Sequence, residues 1–222
     1  MLTDPRSLWR ATFVFGLLTF ALFIVSAVRG VPDCSVPMPA AMLDFELALD
    51  RAAFALVLDC APRLAALDQA NIVDLLLFMW AYGGLLTFFA LAVGLRPWLA
   101  VSLGALMIAT DFVETVTLRW IAAGWPLFDP TLVSPLAIAV RVKFVAIGIA
   151  MVLAGLWLAR FKTGWGARLV ALLSVIGGVG SVWLMYSDGR MTGTAMLAVA
   201  WIAITVYAGA RTLGYRKAAS AA

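Results

Sequence analysis

Two carboxylates three positions apart, Asp111 and Glu114, sit in the stretch MIATDFVETVTLRW (107–120), which is otherwise apolar enough for lipid. Three positions along a helix amount to about 300°, so the two acids share one face, with Met107, Thr115 and Leu118 beside them. Paired carboxyls in an apolar setting are suited to acid–base work, because burial disfavours the charged form and lets a carboxyl keep its proton. Farther along, Arg141 and Lys143 interrupt a second apolar run, SPLAIAVRVKFVAIGIAMVLAGLWLA (134–159). The chain has no histidine. It therefore offers no imidazole for a haem, for a zinc site of the usual kind or for a Ser-His-Asp triad. What remains is the chemistry of carboxylates, tyrosines, lysine and arginine, and neither a metal nor another cofactor is expected.

The elements that carry these residues are set by composition. Hydrophobic residues make up 64% of the 222, charged residues 13%, and the mean hydropathy is +1.03. A water-soluble domain of this length needs far more polar surface. Runs long enough to cross ~30 Å of hydrocarbon occur near 10–29, 72–94, 98–122, 135–159, 167–187 and 192–213. They are continuously apolar, without the two-residue alternation of barrel strands. The expected fold is an all-α bundle of transmembrane helices forming one polytopic domain over 1–222. The first run follows Arg6 and Arg10 as a signal peptide would. Its apolar core is longer than an h-region and no small-x-small cleavage site follows, so it reads as a retained helix.

Loop charge orients the bundle. With both termini on one side, that side collects Arg6, Arg10, Arg96, Arg160, Lys162, Arg168, Arg211, Arg216 and Lys217 against one acid, Asp4. The other side holds Arg29, Arg51, Arg63, Arg119 and Arg190 among most of the acids. The termini are thus expected in the cytoplasm of a bacterial cell with the chain in its inner membrane. The net charge of +4 is a topology signal. No basic stripe interleaves with aromatics outside the lipid, so nucleic acid is not an expected partner; membrane lipids and other membrane subunits are.

Depth then relates the charges to one another. Counted from the outer end of the third run, Glu114 and Asp111 lie about 12 and 17 Å deep, beyond the reach of snorkelling for short side chains. Counted from the outer start of the fourth run, Arg141 and Lys143 lie about 9 and 12 Å deep. Charges at such depth need partners, since an unpaired one costs roughly 3 kcal/mol or more. Gly148 and Gly155 share the face of Arg141, and small residues mark close helix contacts. This predicts a Glu114–Arg141 pair, with Lys143 snorkelling outward and Asp111 left as the functional acid. Asp74, Tyr82, Tyr186 and Asp188 add polar groups to the same outer half.

The segment between the first two runs, 30–71, contains PAAMLDFELALDRAAFALVLDCAPRLAALDQAN. Leu43, Leu47, Phe54, Leu58 and Ala61 keep a roughly helical spacing among Asp44, Asp50, Arg51 and Asp59. That predicts an extracytoplasmic amphipathic helix on the interface, broken or kinked by Pro62. Both cysteines, Cys34 and Cys60, fall in this segment, and a disulfide between them is expected in an oxidising compartment. The glycine-rich IGGVGSVW (176–183) lies inside a span with no preceding strand, which favours close helix packing over a phosphate loop.

Three features together resemble an uncharacterised group of bacterial multi-spanning membrane proteins. They are FELA (45–48) before an amphipathic stretch, an aspartate then a tyrosine in the next span (DLLLFMWAY, 74–82), and D-x-x-E in the one after (DFVE, 111–114). In that group asparagine commonly follows the glutamate; here Thr115 does. The likeness covers residues 42 to 120 and implies no activity. The run GGLLTFFALAVGLRPWLAVSLGALMIA (83–109) is also similar to DoxX-type membrane proteins.

Two readings of the charged layer stand side by side. One is a structural ion-pair network that sets helix register. The other is a polar pocket, formed by Asp111, Glu114, Arg141, Lys143, Asp74, Tyr82 and Tyr186, for a lipid head group, a proton or a small substrate. The functional expectation is a lipid- or small-hydrophobe-binding or accessory membrane protein whose cluster opens toward the periplasm. Its rivals are an intramembrane enzyme using Asp111 or Glu114 as acid or base on a lipid or isoprenoid, and a proton-coupled transporter.

Overall fold

Apolar residues without strand alternation leave the backbone one way to satisfy its polar groups in lipid, and the chain takes it. The computed structural model describes residues 4–28, 43–186 and 190–220, and among these there is no strand. The helices are α1 (Pro5–Val28), α2 (Arg51–Leu58), α3 (Ala61–Val73), α4 (Met79–Val93), α5 (Pro97–Gly124), α6 (Val133–Phe161), α7 (Trp165–Trp183) and α8 (Arg190–Ser220). A π turn, Asp74–Phe78, joins α3 to α4, and a 3₁₀ turn, Pro130–Leu132, precedes α6. Among the described residues six helical stretches are long and apolar enough to cross a membrane, and they match the six predicted runs. The chain is a multi-pass membrane protein.

Local chemistry explains where the helices stop and start. Asp4 accepts from Arg6 N and Ser7 N ahead of α1, and Asp50 accepts from Ala53 N at 2.8 Å ahead of α2. Gly94, at φ 99°, ends α4 in a conformation that side chains resist, and Pro97 opens α5, where a missing N–H costs nothing. Gly164, at φ 109°, turns the chain between α6 and α7 in the same way.

The second span is longer than its apolar run. It begins at Ala61 and continues through the π turn to Val93, whereas hydropathy placed its start near 72. The chain breaks at Asp59 and Cys60, and Pro62 lies in the first turn of α3, where proline is compatible with a helix. Part of the segment expected to lie on the interface is thus helically continuous with the second span. Of the two cysteines, Cys60 caps α3, and Cys34 lies outside the described residues.

Contacts divide the chain into two compact units. The first comprises 1–19, 81–107 and 144–222. Its core holds Trp9, set edge-on to Tyr207 at 5.4 Å and near Phe89 at 6.3 Å, and Tyr82 stacked on Trp201 at 5.8 Å. Here α6 and α7 approach through their glycines. A Cβ on Gly148 would come within 2.8 Å of the Gly178 carbonyl oxygen, and one on Gly178 equally close to that of Gly148. Ser181 Oγ donates across the same contact to Phe144 O at 3.0 Å.

The second unit comprises 20–80 and 108–143. Phe54 is fully buried between Phe45, at 5.8 Å, and Phe128, at 5.6 Å. Polar ties surround this apolar centre. Trp125 Nε1 donates to Asp59 Oδ1 at 2.9 Å, and Arg119 Nε to Asp68 Oδ1 at 3.0 Å. The buried Arg63 donates from Nη1 to Leu56 O at 3.0 Å, linking α3 back to α2. These contacts fix the 43–78 segment against α5, and thereby place Glu46 and Asp74.

Candidate functional site: a buried lysine among carboxylates

Lys143 is the centre of the charged layer. Its Nζ lies 2.7 Å from Glu114 Oε1, 2.9 Å from Asp111 Oδ1 and 3.5 Å from Glu46 Oε2. The lysine side chain is 7% exposed, Asp111 3% and Glu114 2%. An ammonium has three N–H donors, and here each faces a carboxylate oxygen. Asp111 and Glu114 grip it as neighbours one turn apart on a single face of α5, as their spacing predicted.

The arrangement corrects the expected pairing. The cation on Glu114 is Lys143, and Lys143 points inward instead of snorkelling. Arg141 is exposed, and no ion pair is formed by it among the described residues. Gly148 and Gly155 face α7 instead, where a Cβ on either would meet the carbonyl oxygen of Gly178 or Ala171 at 2.8 Å. Small residues identified a helix contact, but with a different helix. Asp111, expected to lack a base, shares the lysine with Glu114.

Asp74 joins the same neighbourhood. Its Oδ2 accepts from Thr115 Oγ1 at 2.6 Å, and its charge acts on Lys143. The Asp74–Thr115 and Asp68–Arg119 contacts make α3 and its π turn run antiparallel to α5. The π turn opens at Asp74, whose carbonyl accepts from Met79 N, and such wide turns often occur where a side chain has to be aimed. Tyr82 and Tyr186 belong to the first unit: Tyr82 is buried on Trp201, and Tyr186 is 65% exposed. Asp188 lies outside the described residues.

Glu46 is the member that sequence reasoning missed. It sits on a helical turn at 43–46, outside the spanning helices, with its side chain 15% exposed. Burial pushes its carboxyl above the ordinary value, against the pull of the Lys143 ammonium. Its carboxyl also lies within hydrogen-bonding reach of Glu114. A usable signal existed: the chain has only two glutamates, Glu46 and Glu114, and both face the same lysine.

The charges do not balance. Among the described residues three carboxyls, of Glu46, Asp111 and Glu114, contact one ammonium, and the charge of a fourth, Asp74, acts on it. Ionising all of them would leave a large negative excess in a weakly polarisable setting, which proteins avoid by taking up protons. Among the described residues Glu114 Oε2 is buried and accepts from no donor, so a contact with the Glu46 carboxyl becomes a hydrogen bond only when one of the two is protonated. No group suited to a metal ion is found among the described residues.

No family model, curated protein or solved structure matches the chain.

Proposed function

We propose that the protein is a multi-pass protein of the bacterial inner membrane, with both termini in the cytoplasm, whose Lys143-centred cluster takes up and releases protons from the extracytoplasmic side. In this reading the protein belongs to the proton-coupled class. The observation that carries it is the approach of two carboxyls, Glu46 and Glu114, around a single lysine. A pair of this kind holds a proton between its members. The motif residues of the group the chain resembles support it too. FELA supplies Glu46, DLLLFMWAY supplies Asp74 and DFVE supplies Asp111 and Glu114, and the charges of all four act on Lys143.

The rival chemistries are less well served. Binding a phosphate head group within the cluster needs a free cation there, and the donors of Lys143 are committed to carboxylates. An acid–base enzyme needs its substrate beside Asp111 or Glu114, whose side chains are 3% and 2% exposed. A proton fits where neither does.

Infrared difference spectroscopy of the protein in lipid vesicles tests the proposal. A protonated carboxyl gives a C=O stretch well separated from that of a carboxylate. A pH step should change such a band in the wild type, and Glu114→Gln should remove or shift it. No carboxylic band at any pH would overturn the reading. A periplasm-dependent reporter fused after Ala222 should stay inactive; activity would reverse the orientation.

A second reading rests on a different observation. A groove of ≈ 670 Å³ lined by Val145, Ile149, Val152, Val179 and Trp183 runs along α6 and α7, and its walls are almost wholly apolar. An acyl chain or small hydrophobe would suit it, in an accessory role for lipids or other membrane subunits. Native mass spectrometry that finds no retained lipid and no second subunit would remove this reading.

A further inference from the structure

We infer that Glu46 is the first acceptor for protons reaching Asp111 and Glu114 from the extracytoplasmic side. The inference rests on the proton-exchanging role proposed above and specifies its route.

Three carboxyls touch Lys143, and they differ in access. Asp111 and Glu114 lie in mid-span and are closed at 3% and 2% exposure, whereas Glu46 stands on a non-spanning turn at 15%. It also has the longest contact with the ammonium, 3.5 Å against 2.9 and 2.7 Å. It is therefore the least firmly held of the three and the one water reaches first. On its inner side is Glu114, whose Oε2 is buried and has no donor among the described residues. Such an acceptor, next to the most open of the three carboxyls that touch Lys143, is what a proton relay requires.

The charged groups acting on Glu46 are Lys143, Asp111 and Glu114, with Asp74 beyond them. Burial holds its proton to a higher pH than an ordinary carboxyl, and Lys143 opposes this. The step balances simply. A hydronium ion gives its proton to a Glu46 carboxylate oxygen and leaves as water. The new O–H points to Glu114 Oε2; it breaks at Glu46 as an O–H forms at Glu114. Glu46 returns to its anionic form beside Lys143, ready for the next proton. No oxidant, reductant or co-reactant takes part.

The test follows exchange kinetics of the full chain in lipid vesicles, read at the carboxylic C=O band after a jump into deuterated buffer. Glu46→Gln should keep the inner carboxyl band and slow its exchange at least about tenfold, a rise of about 1.4 kcal/mol in the barrier. Glu46→Asp should recover part of the rate. An unchanged rate in Glu46→Gln would overturn the route while leaving the proton site intact. Absence of the band from the wild type would instead overturn the proton site itself. A second measurement uses the wild type alone, so it does not depend on the variants folding. A membrane-impermeant carbodiimide with an added amine, applied to right-side-out vesicles, should modify Glu46 before Asp111 or Glu114. Adducts at Asp111 or Glu114 with Glu46 unmodified would overturn the route.

Discussion

Lys143 Nζ bonds Glu114 Oε1 at 2.7 Å and Asp111 Oδ1 at 2.9 Å, so one ammonium bridges the three-residue step between two acids on the same helix. Removing the lysine leaves two buried carboxyls facing each other with no cation. Breaking such a pair from one side costs about 3 kcal/mol, and Lys143→Met should lower thermal stability in detergent accordingly. Combined with Glu114→Gln, the loss should fall short of the sum, with a coupling on the order of 1 kcal/mol. Arg141→Ala should stay within about 0.5 kcal/mol of wild type. Additive losses for the pair, or an Arg141→Ala variant as unstable as Lys143→Met, would mean that the lysine is not the partner.

Glu46 links the cluster to pH. Burial raises its carboxyl above the ordinary value of 4.5, so the folded chain holds this proton more tightly than the unfolded chain does. The stability it contributes is fully present below about pH 4.5 and is lost as pH rises through the raised folded value. Glu46→Gln cannot titrate and should flatten that decline. Melting temperatures of both proteins across about pH 4 to 8 provide the check. Parallel curves would assign the pH dependence to another group.

The glycine contact of α6 with α7 should be intolerant of bulk. Gly178→Val puts a branched side chain where a Cβ already meets the Gly148 carbonyl oxygen at 2.8 Å. Overpacking of this kind costs about 1–3 kcal/mol. Gly166 offers a control in the same helix, since its nearest neighbour would be Tyr207 at 3.9 Å, and Gly166→Ala should not lower the melting temperature. Equal effects of the two changes would remove the packing argument.

A Cys34–Cys60 bridge, expected from the sequence alone, would be worth roughly 3–4 kcal/mol through loop entropy. Alkylation under denaturing, non-reducing conditions should then leave both thiols untouched, and modification of both would show them free.

Much of this architecture was readable from hydropathy alone, because a backbone in lipid has so few options. The shared face of Asp111 and Glu114 was equally legible, being a matter of helix period. Depth also carried information: Lys143 and Glu114 were expected at the same ~12 Å level, and they do pair. What misled was the use of Gly148 and Gly155 to choose between Arg141 and Lys143, since a small face shows that a helix contacts something without naming the neighbour. Glu46 could not be placed by spacing at all. It reaches Lys143 across 97 positions, from a segment whose charges read as an interfacial face. The continuity of α3 with α4 was hidden for a related reason: α3 carries Arg63, Asp68 and Asn71, of which Arg63 and Asn71 are buried, and these polar residues interrupt the apolar run.

The π turn at Asp74–Phe78 has a consequence for how the 61–93 helix uses its circumference. One extra residue in a single turn advances the angular phase of everything after it by roughly a quarter of a revolution relative to an unbroken α-helix. The bearing of Asp68 and Asp74 is thereby freed from the period of the residues that follow in sequence. The hydrophobic period read along such a rod slips at one point. The polar half can keep its bearing on Thr115 and Arg119 while the apolar half keeps its own, and neither has to compromise on side-chain type to satisfy the other.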